Sequence, residues 1–166
     1  MHASSFRLMQ KYVSDHVVAG AAVLDVGSRI AAGQTDTYKT LLGHCNYHGL
    51  DMQAGDNVDI VMDDPYVFPI EDNTYDHVIS GQAFEHIEYP WLTICEIARV
   101  MKPGGKACII APSSGPEHRH PFDCYRYYPD GFRALATWAK LNVVSCQWHT
   151  AAPWHDCILI AEKPHD

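Results

Sequence analysis

The run YDHVISGQAFEHIEYPWLTICEIARVMKPGGKACIIAP, residues 75–112, reads as strand, helix, strand. Residues 75–80 are short and rich in apolar and β-branched side chains, as a buried strand requires. From Pro90 the spacing changes. Leu92, Ile94, Cys95, Ile97, Ala98 and Met101 recur at helical intervals, and a proline is tolerated in the first helical turn. Lys102-Pro103-Gly104-Gly105 then reads as a stop signal, and KACIIAP, residues 106–112, as a second apolar strand. Two strands joined through a helix can cross over and lie parallel.

The same alternation extends in both directions. Residues 4–18 predict an amphipathic helix with Phe6, Met9, Val13 and Val17 on one face. AAVLDVG, residues 21–27, predicts a buried strand. Residues 35–44 predict a helix opened by Thr35 or Asp36, and residues 46–51 and 58–63 predict two more strands. Beyond residue 112 come a polar loop, 113–128, and a helix from Pro129 or Asp130 to about Lys140. Two final strands follow, NVVSCQW (142–148) and DCILIAEK (156–163). Between these last two, Thr150 to His155 is too short for a crossover helix, so they pair antiparallel. The expected architecture is α/β and doubly wound. A mostly parallel seven-stranded sheet ends in an antiparallel C-terminal hairpin, with helices on both faces. Residues 1–166 form one domain, residues 1–20 being the N-terminal helix and a lid candidate.

Composition narrows the function. The chain carries 12 basic and 20 acidic residues, for a net charge of −8. An acidic domain without a basic stripe is a poor partner for a phosphate backbone, so nucleic acid is not expected. No apolar run reaches the roughly 20 residues that span a bilayer, and the N-terminus lacks a secretory pattern. A cytoplasmic location without membrane attachment is expected. The six cysteines form no CxxC pair and read as reduced core residues.

In open α/β sheets, ligands bind beyond the carboxyl ends of the strands. Those ends carry Asp25-Val26-Gly27-Ser28, Asp51, Asp63-Asp64, Ser80-Gly81-Gln82 and Ala111-Pro112-Ser113. A glycine after the first strand lets backbone approach a ligand closely. A carboxylate after the second can accept both hydroxyls of a ribose, and an acid after the third can receive an adenine amino group. Singly, each residue also suits a cap or a turn; together they suit a nucleoside.

VLDVGS, YHGLD, DDPYVFPIEDNTYDHVIS, QAFEHI and EIARVMKPGGKACIIAPS, in that order, resemble class I S-adenosylmethionine-dependent methyltransferases of the small, Rossmann-like bacterial type. The resemblance covers roughly residues 21–113 and implies S-adenosylmethionine as cofactor, with S-adenosylhomocysteine as product. It implies that Asp25, Gly27 and Ser28 lie under the methionine part and that Asp51 holds the ribose. Met52 would pack on the adenine, and Asp64 or its neighbour Asp63 would meet the amino group. Gln82 and Ala83 would open into the active site, and Glu85 and His86 match an "EH" pair. Where the family has a second glycine, this chain has Arg29, in GSRIAAG (27–33), so either its side chain points away from the cofactor or the loop follows another path. The loss of that glycine also counts against a dinucleotide site.

Two segments compete for the acceptor: residues 82–88 and EHRHPFDCYRYYPDG, residues 117–131. His86 and His120 are the expected proton-handling residues. Glu85, Asp123, Tyr125 and Arg126 are the expected substrate contacts; Arg126, with Arg119, suits a carboxylate or phosphate. Asp123 and Arg126 can equally form a structural ion pair. His118, His120 and Cys124 invite a metal, but their spacing lacks a fourth ligand unless His149, His155 or Cys157 joins, so none is expected. Phe6 and Tyr12 are the contacts a lid would make. The expected reaction is O- or N-methylation of a small molecule, anionic or sugar-like, by a monomer or homodimer. The rival readings are a non-catalytic cofactor-binding domain and a partner-dependent subunit acting on protein or tRNA.

Overall fold

The computed structural model describes residues 2–30 and 33–165. Its elements run α1 (Ala3–His16), β1 (Ala22–Val26), β2 (Asn46–Asp51), β3 (Ile60–Val61), β4 (Tyr75–Gly81), α2 (Pro90–Val100), β5 (Met101–Pro112), α3 (Pro129–Trp138), β6 (Asn142–Trp148) and β7 (Asp156–Glu162). Short 3-10 turns occupy Tyr38–Leu41 and Phe84–His86. The seven strands form one sheet in the order β3-β2-β1-β4-β5-β7-β6. All neighbours are parallel except β7, which runs antiparallel to both β5 and β6.

Side chains alternate across a strand, so each central strand feeds two cores. Leu24, Val78, Ala107, Ile109 and Leu159 face α2 and α3, where Ile94, Ile97, Phe132 and Ala136 meet them. Val23, Ile79, Cys108, Ile110 and Ile158 face the other way, onto Met9, Tyr12 and Val13 of α1 and onto Tyr38 and Leu42. Arg99 secures the loop before β4. Its guanidinium pairs with Glu96 and Asp72 and donates to the carbonyls of Phe68 and Ile70. All six cysteines are free thiols, and three of them are buried.

Three expectations need correction. The helix foreseen over 35–44 is only the 3-10 turn 38–41. A ten-residue helix is marginal by itself, and Tyr38 is instead drawn inward, its hydroxyl bonded to Ser5. The stop at 102–105 does not delay the next strand, since β5 already begins at Met101. Gly104, at φ +76°, lies where the β4–β5 register slips, so the glycine marks a bulge in continuous strand. Finally, Tyr12 is no lid contact. It is buried, bonded to His77 Nδ1, and belongs to the core.

Candidate functional site

The sheet brings the carboxyl ends of β1, β2 and β4 side by side. Asp25 is in register with Gly49 on one side and Ile79 on the other. Asp25 is 3% exposed, and the Tyr47 hydroxyl donates to its Oδ2. Burial pushes its pKa up to about 7; the Tyr47 bond works against the rise and the nearby Asp51 adds to it. The chain then turns at Gly27, whose φ is +79°. A Cβ built there would stand 2.5 Å from the Ala83 Cβ, so the two loops fit only because position 27 has no side chain. Ser28 is buried and donates to the Asn57 carbonyl, while Asn57 Nδ2 donates to the Ser28 carbonyl and to the Tyr47 hydroxyl.

Asp51 ends β2. Its Oδ2 accepts the backbone N–H of Arg29, and its Oδ1 that of Gln53. A carboxylate has about four lone-pair sites, so half its capacity remains for hydroxyl groups. The Arg29 side chain lies outward over Gly55, its methylenes 3.1 Å from where a Cβ on that glycine would stand. The rest of that loop includes residues 31 and 32, which lie outside the described residues. Met52 is 51% exposed beside Asp51. Asp63 and Asp64 follow β3 and are exposed. Asp64 folds back on its own turn, Oδ1 accepting the Tyr66 N–H. The structure therefore gathers Asp25, Gly27, Ser28, Asp51, Gln82 and Ala83, and leaves Asp63 and Asp64 at the rim.

Gln82 has φ +60°, an uncommon conformation for a non-glycine residue. It is held there by its N–H to the Ile110 carbonyl and by Nε2 to Asp156 Oδ1. Asp156 is fully buried at the start of β7 and also accepts bonds from His2 Nε2 and Ser4 Oγ. Burial opposes its charge, yet His2 and the other donors bring its pKa below the ordinary value. The start of α1 thus fixes Gln82 through Asp156. Sequence reading missed this link because no local pattern connects residues so far apart.

The two segments expected to compete form one surface. The N–H groups of Cys124 and Tyr125 both donate to the Glu85 carbonyl, and the Tyr125 hydroxyl donates to the Glu88 carbonyl. Tyr127 donates from its hydroxyl to the Phe84 carbonyl. Arg126 grips both oxygens of Asp123 and the Pro116 carbonyl. The hydrogen bond and charge of Arg126 hold the Asp123 carboxyl well below its ordinary pKa. An open cleft of about 370 Å³ lies between Gly115, Glu117 and residues 123–126. On the same surface His86, His118 and His120 cluster edge to face, with ring centroids 5.0–6.2 Å apart. Glu85 raises the pKa of His118.

Comparison with known proteins gives the family and the fold. Residues 24–109, just over half the chain, match the family described as "Methyltransferase domain". The Caenorhabditis elegans phosphoethanolamine N-methyltransferase 2 is 26% identical over 88% of this chain, but the match spans 38% of that protein. A second curated relative is spanned over 46% of its length, so the chain covers less than half of either. Among solved structures, the Burkholderia thailandensis 1,6-didemethyltoxoflavin-N1-methyltransferase, with 1,6-didemethyltoxoflavin and S-adenosylhomocysteine bound, gives a TM-score of 0.75 at 17% identity, covering 97% of this chain and 79% of that one. A Haloferax volcanii methyltransferase chain, solved with the Trm112 methyltransferase activator, gives 0.68 at 20% identity, covering 98% of this chain and 97% of that one. At these identities the solved structures speak for the fold alone.

Proposed function

The chain belongs to the methyltransferase domain family, and from that premise we propose that it transfers a methyl group from S-adenosylmethionine to a small-molecule oxygen or nitrogen acceptor. One observation carries the reading: Asp25, the Gly27–Ala83 contact and Asp51 converge where three parallel strands end. The residues suit the cofactor. Gly27 clears a backbone path, Asp51 keeps free acceptor capacity for ribose hydroxyls, and Asp25 is a buried carboxyl that a cationic ligand would draw into its charged form. Met52 and the rim acids Asp63 and Asp64 would border the adenine.

The cofactor when bound supplies an electrophilic methyl group on a sulfonium. What the protein adds is placement. Ala83 and the strained Gln82 set the floor between cofactor and acceptor. The loop 116–126, tied down by Asp123 and Arg126, forms the acceptor wall, with Tyr125 along it. Holding two reactants in line can remove about 7–11 kcal/mol of a barrier. His120 is exposed and its side chain makes no hydrogen bond among the described residues, so it is the imidazole available to take a proton from an acceptor hydroxyl or amine.

Calorimetric titration with S-adenosylmethionine tests the reading. The wild-type chain should bind one equivalent, and Asp51→Ala should weaken binding by about 2–4 kcal/mol through lost hydrogen bonds to a charged acceptor. An Asp51→Ala affinity within about twofold of wild type, well under 1 kcal/mol, overturns the ribose assignment. No binding by the wild type overturns the function.

A further inference from the structure

Glu85 is the most unusual residue of the acceptor side. It sits in the 3-10 turn after β4, 0% exposed, and neither carboxylate oxygen has a hydrogen-bond partner. Buried charges are normally paired or coordinate metals. Two imidazoles face it: His86 Nε2 and His118 Nε2 each lie 3.6 Å from Glu85 Oε1, too far for a hydrogen bond.

The outer nitrogens of those rings fix where their hydrogens are. His86 Nδ1 lies 2.6 Å from the Phe122 carbonyl oxygen, and His118 Nδ1 lies 3.2 Å from that of Pro116. A carbonyl oxygen only accepts, so each Nδ1 carries a hydrogen. In the neutral rings both Nε2 atoms then present lone pairs toward Glu85, which presents lone pairs back. With both rings neutral and Glu85 ionised, three acceptors converge, and either a proton or a metal ion must sit between them. An imidazole tied through one nitrogen to a carbonyl, with the other free to bind, is the arrangement of metal-ligating histidines.

We propose that Glu85, His86 and His118 bind a divalent first-row transition ion, zinc being the probe of choice. The three donor atoms lie within 4.8 Å of one another. Bonds of about 2.0–2.1 Å place tetrahedral neighbours about 3.4 Å apart, so the set closes by a small inward movement. Two histidines and a glutamate leave a position for water or for an oxygen of the acceptor. The pattern His118-x-His120-x₃-Cys124 does not reveal this site, because two of its three ligands, Glu85 and His86, come from the turn after β4. The site stands whether or not the chain transfers methyl groups.

The test uses the full chain without a histidine tag, stripped with chelator. Zinc is titrated by calorimetry and cobalt(II) by visible absorption. One equivalent of each should bind, and zinc should raise the melting temperature. His118→Ala, a loop change, should weaken zinc binding at least about tenfold and abolish the zinc-induced rise in melting temperature. Glu85→Gln should do the same, and His118→Ala decides alone if Glu85→Gln fails to fold. The proposal is overturned if the wild type takes up no ion, leaving a protonated imidazole beside Glu85. It is overturned equally if His118→Ala binds zinc as tightly as wild type. S-adenosylmethionine titrated into the same samples separates the two readings: cofactor binding without metal uptake removes only the ion site.

Discussion

At the scale of single residues, Asp25 and Arg126 make opposite demands on solvent. Asp25 is a buried carboxyl with a pKa near 7, raised by burial above its unfolded value of about 4. The folded state therefore holds a proton there that the unfolded state has lost, and stability falls as pH rises between those values. Relative to Asp25→Asn, the wild type should lose about 1.4 kcal/mol per pH unit from roughly pH 4 to 7, as read by urea unfolding at several pH values. A constant difference across that range would show that Asp25 is ordinarily ionised. Arg126 spends its guanidinium on Asp123 and on two backbone carbonyls, so it braces the loop 116–126. Arg126→Ala takes the guanidinium from Asp123, which keeps only the His118 N–H, and should cost about 2–3 kcal/mol of stability. Arg126→Lys should restore only part of it, because lysine cannot grip both oxygens in a plane. A stable Arg126→Ala protein that has lost only turnover would instead make Arg126 a substrate contact.

At the scale of elements, the hydrophobic periods of α1, α2 and α3 and the apolar strand runs were readable because each repeats locally. What local pattern could not show was where a single side chain would be wanted by a distant element. Tyr38 leaves its expected helix to meet Ser5 and Gly81. Gly104 serves a bulge that only the pairing with β4 reveals. At the site, the strand-end residues Asp25, Gly27 and Asp51 were legible from order and spacing. Asp156 and the convergence of His118 on Glu85 were not, since they join segments far apart in the chain. Tyr12 shows what this means for α1. Its hydroxyl bonds His77 Nδ1 and the Lys106 carbonyl across the sheet face. Tyr12→Phe should cost about 1.5 kcal/mol and lower the melting temperature by about 3–6 °C, with cofactor affinity unchanged. A selective loss of cofactor affinity would restore the lid reading.

For the whole molecule, charge and pH act through several groups together. Asp76, Glu96, Asp123 and Asp156 all have lowered pKa values, so their stabilisation is present above about pH 4 and is lost as pH falls further. His77 is buried with its pKa lowered to about 4, so it gains stability with rising pH between about 4 and 6.5. That slope opposes the slope of Asp25. His118, raised by Glu85, contributes below about pH 6.5 and fades above it. The melting temperature of the metal-free, cofactor-free protein should therefore stay level from roughly pH 4.5 to 6.5 and fall on both sides. A melting temperature that climbs steadily to pH 8 would mean that burial of Asp25 does not govern the neutral range.

The antiparallel β7 lies between β5 and β6, yet it is the last strand in chain order. A ribosome therefore delivers it after every strand it must join. Until residues 156–162 emerge, the apolar edge of β5 has no neighbour on that side, and β6 has nothing to pair with. Until then the nascent chain carries an open, sticky border. Folding of this sheet should accordingly be completed by β7, in one late step, instead of growing outward from β1.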